Sequence, residues 1–64
     1  MKVNGEEIAL GKACTLNEFL AREGYCINRV AVELNGAVIQ KSCYGTQILN
    51  EDDRLEIVTF VGGG

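Results

Sequence analysis

The sequence predicts a two-layer α+β domain, in which one helix covers one face of a four- or five-stranded sheet. Three observations predict this class: two Asn-Gly pairs flanked by apolar residues, one short amphipathic segment with helix-capping residues, and a largely apolar segment near the end. The 64 residues suffice for one small domain. We assign residues 1–60 to this domain and residues 61–64 to a flexible glycine tail.

The first element is predicted to be a β-hairpin. Asn4-Gly5 stands between apolar positions, and both residue types tolerate the positive φ angles that a tight type I′ turn requires. The strands are expected near residues 1–4 and 6–10.

The second element is predicted to be a helix over residues 15–24. Thr15 and Glu18 have the spacing of a capping box, in which each side chain bonds the backbone of the other. Gly24 suits the left-handed position that ends many helices. An apolar stripe at helical spacing, Leu16, Phe19 and Leu20, indicates the face that packs on the sheet.

Residues 30–40 repeat the hairpin pattern. Val30, Val32 and Leu34 alternate with less apolar residues, as in a half-buried strand, and Asn35-Gly36 supplies the turn. The returning strand contains Val38 and Ile39.

The segment 41–53 shows no clear period, with turns expected at Gly45 and Asn50 and with Ile48 and Leu49 packed on the core. Residues 54–60 are predicted to form the last strand. Both faces of that strand are partly apolar, which is typical of a strand in the middle of a sheet or of one whose second face meets a partner.

Composition excludes several function classes. Nine acidic residues outnumber six basic ones, the formal net charge is −3, and no basic patch exists, so nucleic-acid binding is not expected. A basic partner surface suits this charge better. No apolar run reaches the length of a membrane span, and no signal peptide is evident. We therefore expect a cytoplasmic protein without membrane contact.

The cysteines and the absence of histidine limit the possible chemistry. Cys14, Cys26 and Cys43 are too widely spaced for a zinc or redox motif, and we predict that they are small buried or half-buried residues. The alternative is a redox or sulfur-relay role, for which Cys14, just before the helix, is the leading candidate. Without histidine, the usual general base and zinc ligand are both missing.

The remaining polar groups form no recognisable active site. The run Glu51-Asp52-Asp53 offers oxygen ligands, but its spacing matches no calcium loop, and a solvated turn is the simpler interpretation. Tyr25 and Tyr44 are expected to be packing residues. The sequence predicts no catalytic residue and no metal site.

The closing stretch "TFVGGG" is the remaining candidate for chemistry. Glycine has no Cβ, so three or four extended residues can pass through a narrow channel over roughly 10–13 Å. This pattern predicts a carrier whose reactive group is its own terminal carboxylate, activated by a partner. The simpler interpretation is a frayed end or a cloning remnant.

Three stretches carry a resemblance to a known family: "VNGEEI", "VAVELNGAVI" and "RLEIVTFVGGG". Together with the intervening helix they make the chain resemble the small sulfur carriers of thiazole (thiamine) biosynthesis, the ThiS family of ubiquitin-like β-grasp proteins. The resemblance implies a mixed sheet around one helix, with the first and last strands adjacent and parallel.

The resemblance also implies a mechanism. An E1-like adenylyltransferase (ThiF-like) uses ATP and magnesium to adenylate Gly64, and a persulfide from a donor such as a cysteine desulfurase then gives a thiocarboxylate. Thiazole synthase (ThiG-like) receives the sulfur. Gly62 and Gly63 are the lead into the partner sites, and Phe60 and Val61 anchor the base of the tail. The carrier binds no cofactor, performs no catalysis and is a monomer when free.

The chain departs from the family pattern at one turn, in its three cysteines and in the weakly matching stretch 41–49, and the resemblance leaves several functions open. Glu51-Asp52-Asp53 replaces the common Asp-Gly-Asp turn, so a different turn shape is expected around Asp52. The same chemistry serves the small subunit of molybdopterin synthase and carriers for tRNA thiolation. The chain could instead be a ubiquitin-like modifier joined to lysines through Gly64, or a plain interaction module.

Overall fold

The structure, a computed structural model, describes residues 1–61. The single helix within them, α1, spans Leu16–Arg22, and two 3₁₀ turns span Ile27–Arg29 and Lys41–Cys43. The strands are β1 (Lys2–Val3), β2 (Glu6–Glu7), β3 (Cys14–Thr15), β4 (Val30–Leu34), β5 (Ala37–Ile39), β6 (Ile48–Leu49) and β7 (Arg54–Thr59).

The main sheet has five strands in the order β2-β1-β7-β4-β5. Strand β1 runs parallel to β7, whereas the β1–β2, β4–β5 and β4–β7 pairs are antiparallel. The predicted α+β class with a mixed sheet is therefore confirmed, and so is the expectation that the first and last strands are parallel neighbours. Strand β7 lies at the centre of the sheet, as its two apolar faces indicated.

Both predicted hairpin turns form at the Asn-Gly pairs. Asn4 and Asn35 each have a φ of 51°, and the glycines that follow have φ values of 85° and 87°. Positive φ at two successive positions is what a type I′ turn requires, and asparagine and glycine adopt it at little cost.

The helix begins and ends as its sequence predicts. The Glu18 N–H donates to Thr15 Oγ1 at 3.1 Å, and the Thr15 N–H donates to Glu18 Oε1 at 2.8 Å, which completes the capping box. At the other end, Gly24 has a φ of 83°. The Gly24 N–H bonds the Ala21 carbonyl and the Tyr25 N–H bonds the Leu20 carbonyl, the pattern of a Schellman motif.

The core lies between this helix and one face of the main sheet. The helix contributes three fully buried side chains, Leu16, Phe19 and Leu20. The sheet contributes the inward positions Val3, Val30, Val32, Leu34, Leu55 and Ile57. Tyr44 and Leu49 close one side of the core, and Tyr25 packs against it, as expected for packing residues. Burial raises the pKa of the Tyr44 hydroxyl.

A second sheet, formed by β3 and β6, was not predicted. Each strand has only two residues, so neither shows a period in the sequence. The segment that carries β6 also completes the helix start, because the Leu16 and Asn17 N–H groups donate to the Gln47 and Tyr44 carbonyls. Leu49 is buried as expected, but Ile48 is 48% exposed, so its predicted packing on the core is wrong.

The predicted burial of the cysteines is wrong for two of the three. Cys14 is half-buried, but Cys26 and Cys43 are exposed. Cys26 precedes one 3₁₀ turn and Cys43 ends the other. Both thus lie on connections, which run over the surface whatever the apolar character of the side chain.

The turn before β7 closes without left-handed backbone. The Asp53 N–H donates to the Asn50 carbonyl at 3.0 Å, and the Asn50 N–H donates to Asp53 Oδ2 at 2.8 Å. Among the non-glycine residues described, only Asn4 and Asn35 have a positive φ, so Asp52 forms this turn without that strain. Within residues 1–61, no helix has the length and apolar character needed to cross a membrane.

Candidate functional site

The candidate site is the point where the chain leaves the centre of the sheet. Strand β7 ends at Thr59, and the Phe60 N–H still donates to the Arg29 carbonyl at 2.7 Å. Phe60 is 52% exposed and Val61 is 94% exposed. Two large apolar side chains are therefore exposed to solvent directly after β7, which pairs with β1 on one side and with β4 on the other.

The exposed face of the sheet continues this apolar surface. Strand side chains alternate between faces, and on β7 Leu55 and Ile57 are buried whereas Val58 is exposed. Val58 lies opposite Ala31 of β4, and Val38 of β5 is also exposed. We call the solvent-facing positions of β4, β5 and β7 the outer face: Ala31, Glu33, Val38, Arg54, Glu56 and Val58.

Two carboxylates face each other on the outer face. Glu33 of β4 lies directly opposite Glu56 of β7, and on its other side Glu33 lies opposite Val38. Like charges in directly opposed positions destabilise an antiparallel pair. The outer face thus combines exposed valines with two carboxylates and the Arg54 guanidinium, so its net charge is negative, which suits a partner surface that carries apolar and basic groups.

Two cationic residues flank the end of the sheet from which the tail leaves. The Lys41 Nζ donates to the Val30 carbonyl at 2.9 Å. Strand β5 ends at Ile39, opposite Val32, so no β5 residue lies opposite Val30. The Lys41 ammonium group therefore bonds a carbonyl of β4 that β5 leaves unpaired. Arg29, whose carbonyl holds Phe60, is exposed. The tail therefore starts beside positive charge, although the chain as a whole is acidic.

The opposite end of the sheet holds the amino group of Met1. This group donates to Glu7 Oε2 at 2.9 Å and lies 3.5 Å from Glu51 Oε2. The hydrogen bond to Glu7 raises the pKa of the amino group and lowers the pKa of the Glu7 carboxyl. Glu51 also accepts the Leu10 and Gly11 N–H groups through Oε1, at 2.9 and 3.1 Å. These contacts give Glu51 a structural role, because its carboxylate contacts the amino group and accepts hydrogen bonds from two backbone N–H groups.

The side chains of both turn asparagines bond the central strand, a role that the turn pattern alone does not reveal. Asn4 Oδ1 accepts the Ile57 N–H at 2.7 Å, and Asn4 Nδ2 donates to the Ile57 carbonyl at 3.2 Å. Asn35 Oδ1 accepts the Arg54 N–H at 2.9 Å, and its Nδ2 donates to Asp53 Oδ1. The two hairpin turns thus hold β7 from opposite sides.

The concavity beside Cys14 offers no comparable chemistry. Two of its charged lining groups already have partners, because Glu18 belongs to the capping box and the Arg22 guanidinium donates to the Leu10 carbonyl and lies over the Phe19 ring. Among residues 1–61, no three Cys, Asp or Glu side chains are grouped as metal ligands.

Of the predicted site residues, the structure describes Phe60 and Val61 and shows both exposed. Gly62, Gly63 and Gly64, to which the sequence assigns the lead and the reactive carboxylate, lie outside the described residues. The proposed boundary between domain and tail at residues 60 and 61 therefore stays a prediction.

A mixed five-stranded sheet around one helix, with the last strand at its centre, defines a β-grasp domain of the ubiquitin-like type. Comparison with known proteins is more specific, since the family model described as the ThiS family matches residues 1–64. The chain belongs to the ThiS family.

Solved structures agree with this assignment. The crystal structure of the thiamine biosynthesis protein ThiS of Geobacter metallireducens matches with a TM-score of 0.82 and 29% identity, over 98% of this chain and 96% of that one. A solution structure of a thiamine biosynthesis protein from the same organism matches with a TM-score of 0.78 and 27% identity, over 98% and 85%.

Curated relatives are of two kinds. A thiazole synthase of Magnetococcus marinus is 42% identical over 62 residues, which is 97% of this chain but 19% of the relative. The chain thus spans about a fifth of the length of this thiazole synthase. The uncharacterized protein ycf40 of Pyropia yezoensis is 36% identical over 64 residues, 100% of this chain and 90% of the relative.

Proposed function

We propose that the protein is a sulfur carrier for thiazole formation in thiamine biosynthesis, and that the carboxyl group of Gly64 carries the sulfur. One observation supports this most: in a chain of the ThiS family, the central strand leads directly into the glycine tail through the exposed side chains of Phe60 and Val61. The sheet fixes the start of the tail, and the glycines add length without side-chain bulk.

The proposed chemistry begins with activation of the carboxylate. An E1-like adenylyltransferase supplies ATP and magnesium, and the Gly64 carboxylate attacks the α-phosphorus and displaces pyrophosphate. The resulting acyl adenylate is a far better electrophile than a carboxylate. The terminal sulfur of a persulfide attacks the carbonyl carbon, a C–S bond forms and AMP leaves. A second thiol then cleaves the S–S bond, which leaves the thiocarboxylate on Gly64 and a disulfide on the donor.

In this proposal the chain binds its partners and presents the Gly64 carboxyl group to them, and the partners catalyse the reactions. Phe60 and Val61 dock the base of the tail, while Gly62 and Gly63 span the entrance to the partner's active site. Thiazole synthase is the proposed acceptor of the sulfur. The thiazole synthase relatives support this partner, because each contains a region similar to nearly the whole of this chain.

Intact-mass spectrometry tests the proposal. The mass of the mature protein first establishes whether Gly64 carries the free carboxylate. Incubation with the adenylyltransferase, ATP, magnesium, a cysteine desulfurase and cysteine should then raise the mass by the difference between one sulfur and one oxygen. Addition of thiazole synthase and its small-molecule substrates should reverse this gain as thiazole forms.

The matched control lacks only Gly64. This variant should keep the amide spectrum of the folded domain and show no gain in mass. An unchanged mass of the full chain, under conditions in which the partner releases pyrophosphate with a known carrier, would refute the proposal. A gain in mass without thiazole formation would assign the carrier to another sulfur-containing product.

A further inference from the structure

The last backbone hydrogen bond before the tail depends on the start of β4. The Phe60 N–H donates to the Arg29 carbonyl at 2.7 Å, and within residues 1–61 no backbone hydrogen bond lies nearer to the tail. Bonded and non-bonded positions alternate along an antiparallel pair, so Val30, which lies opposite Thr59, points its own carbonyl away from β7. The position of Phe60 therefore depends on how firmly the backbone on either side of Val30 is held.

Strand β5 does not hold this part of β4. It ends at Ile39, opposite Val32, and Lys41, the residue that would face Val30 in the same register, already belongs to a 3₁₀ turn. The Lys41 side chain replaces the missing strand, because its Nζ donates to the Val30 carbonyl at 2.9 Å. A hydrogen bond from a charged donor is stronger than one between neutral groups. The two peptide groups that flank Val30 are thus bonded to Lys41 on one side and to Phe60 on the other.

The backbone of Lys41 is itself fixed against the core. Its carbonyl accepts the Tyr44 N–H at 3.1 Å, and the Tyr44 side chain is fully buried. The Lys41 Nζ also lies 6.0 Å from the centre of the Tyr44 ring, at the distance of a cation–π contact. The Lys41 side chain therefore connects a buried residue of the core to the carbonyl of Val30.

We propose that Lys41 is a positioning residue, which fixes the point where the chain leaves β7 by holding Val30 beside the hydrogen bond between Arg29 and Phe60. In its effect on sulfur loading, this inference rests on the proposed function. Without the ammonium group, the Val30 carbonyl loses its partner on the β5 side, and the start of β4 gains freedom that reaches Phe60 through one residue. The base of the tail must then be ordered when a partner binds it, which costs affinity.

Amide hydrogen exchange in the free full-length protein, measured by NMR, tests the positioning directly. Lys41→Met removes the ammonium group and keeps an apolar stem, and it should accelerate exchange of the Phe60 N–H at least about threefold. The Ile57 N–H, which the Asn4 side chain bonds, should exchange at an unchanged rate. Equal acceleration at Phe60 and Ile57 would mean general loosening, and unchanged exchange at Phe60 would mean that Lys41 does not act on it. Either result would overturn the inference.

Two further variants are the matched controls. Lys41→Arg keeps a cationic donor for the Val30 carbonyl, so it should restore slow exchange at Phe60. Lys12→Met removes the same charge from an exposed lysine that makes no side-chain hydrogen bond or ion pair within residues 1–61, and it should leave Phe60 unaffected. Acceleration at Phe60 by Lys12→Met as large as that by Lys41→Met would attribute the effect to net charge and would contradict the positioning role.

The consequence for sulfur loading is measured as pyrophosphate release by the adenylyltransferase at varied concentrations of the carrier. For Lys41→Met we expect the KM for the carrier to rise about three- to tenfold with kcat unchanged, since a loosened tail weakens binding of substrate and transition state alike. A lower kcat with an unchanged KM would argue against positioning. A higher KM without faster exchange at Phe60 would make Lys41 a direct contact of the partner, and would also overturn the inference.

The two measurements distinguish this inference from the proposed function. If the unchanged protein gains no sulfur, the proposed function falls, whereas the exchange rate at Phe60 still decides whether Lys41 fixes the start of the tail. If sulfur loads normally and Lys41→Met changes neither the exchange at Phe60 nor the KM, the carrier function stands and Lys41 has no positioning role.

Discussion

The side-chain amide of Asn4 pairs with the backbone of Ile57 as a neighbouring strand would, accepting the N–H at 2.7 Å and donating to the carbonyl at 3.2 Å. Asn4 therefore has two roles, since its backbone also takes the positive φ of the hairpin turn. Asn35 has the same φ and bonds Arg54 at the other end of β7. The central strand is held by a turn residue from each hairpin.

Replacement of each of these asparagines by glycine should accelerate hydrogen exchange at a different amide of β7. Glycine tolerates the same φ, so Asn4→Gly keeps the turn but removes two hydrogen bonds, and we expect it to lower the free energy of unfolding by about 1–3 kcal/mol. Amide exchange should accelerate at Ile57. Asn35→Gly is the matched control and should accelerate exchange at Arg54 instead. Faster exchange at Ile57 in both variants would mean general loosening and not loss of one contact.

The two phenylalanines should separate stability from partner binding. Phe19 is fully buried, so Phe19→Ala should cost about 3–5 kcal/mol, most of the stability of a domain this small. Phe60 is 52% exposed, so Phe60→Ala should change stability by about 0.5 kcal/mol or less. Phe60→Ala should nevertheless slow sulfur loading. Chemical denaturation and the intact-mass assay measure the two effects, and a large stability loss on Phe60→Ala would place that side chain in the core.

Reversal of one charge on the outer face should stabilise the sheet. Glu33 and Glu56 are directly opposed, so Glu33→Lys replaces repulsion by attraction and should add about 0.2–1 kcal/mol to the free energy of unfolding. The double variant Glu33→Lys with Glu56→Lys restores a like-charge pair and should lose this gain. Urea denaturation at low salt measures both variants. Equal stability of the single and double variants would show that the two side chains do not interact.

The contact between the Met1 amino group and Glu7 predicts a pH dependence for a protein whose first residue is Met1. The pKa of Glu7 is lowered in the fold, so its stabilising contribution exists above the ordinary carboxyl pKa of about 4.3 and fades as the pH falls below it. The pKa of the amino group is raised, so its contribution exists below about pH 8 and fades as the pH rises further.

Glu7→Gln should therefore lower stability most between these two limits and flatten the pH profile at both ends. Glu6→Gln is the matched control, since Glu6 is exposed and makes no side-chain bond within residues 1–61. Thermal unfolding across the pH range measures all three proteins. A profile of Glu7→Gln that runs parallel to that of the unchanged protein would exclude the contact as its cause.

Local patterns sufficed where the interacting residues are close in sequence. The capping box needs only Thr15 and Glu18, three residues apart, and each hairpin turn needs only an Asn-Gly pair. The two apolar faces of β7 favoured either a central position or contact with a partner, and the structure shows the central position. Its parallel pairing with β1 came from the resemblance and not from the pattern, because periodicity does not specify strand order.

Contacts between residues that are far apart along the chain could not be predicted from the sequence. Asn4 and Ile57 are 53 positions apart, and a turn pattern carries no information about what the side chain of a turn residue bonds. The β3–β6 pair was missed because two-residue strands have no period. Cys26 and Cys43 were predicted to be buried or half-buried because cysteine side chains usually are. Their positions on surface connections make them exposed instead.

The parallel pairing of β1 with β7 has a mechanical consequence. A pull on the tail acts along β7, and the hydrogen bonds that join this strand to β1, to β4 and to the Asn4 side chain all lie across that direction. Those bonds are loaded together and not one after another. The domain should therefore resist traction at its C-terminal end far better than a hairpin that peels open, which is the load that the proposed carrier function would place on it.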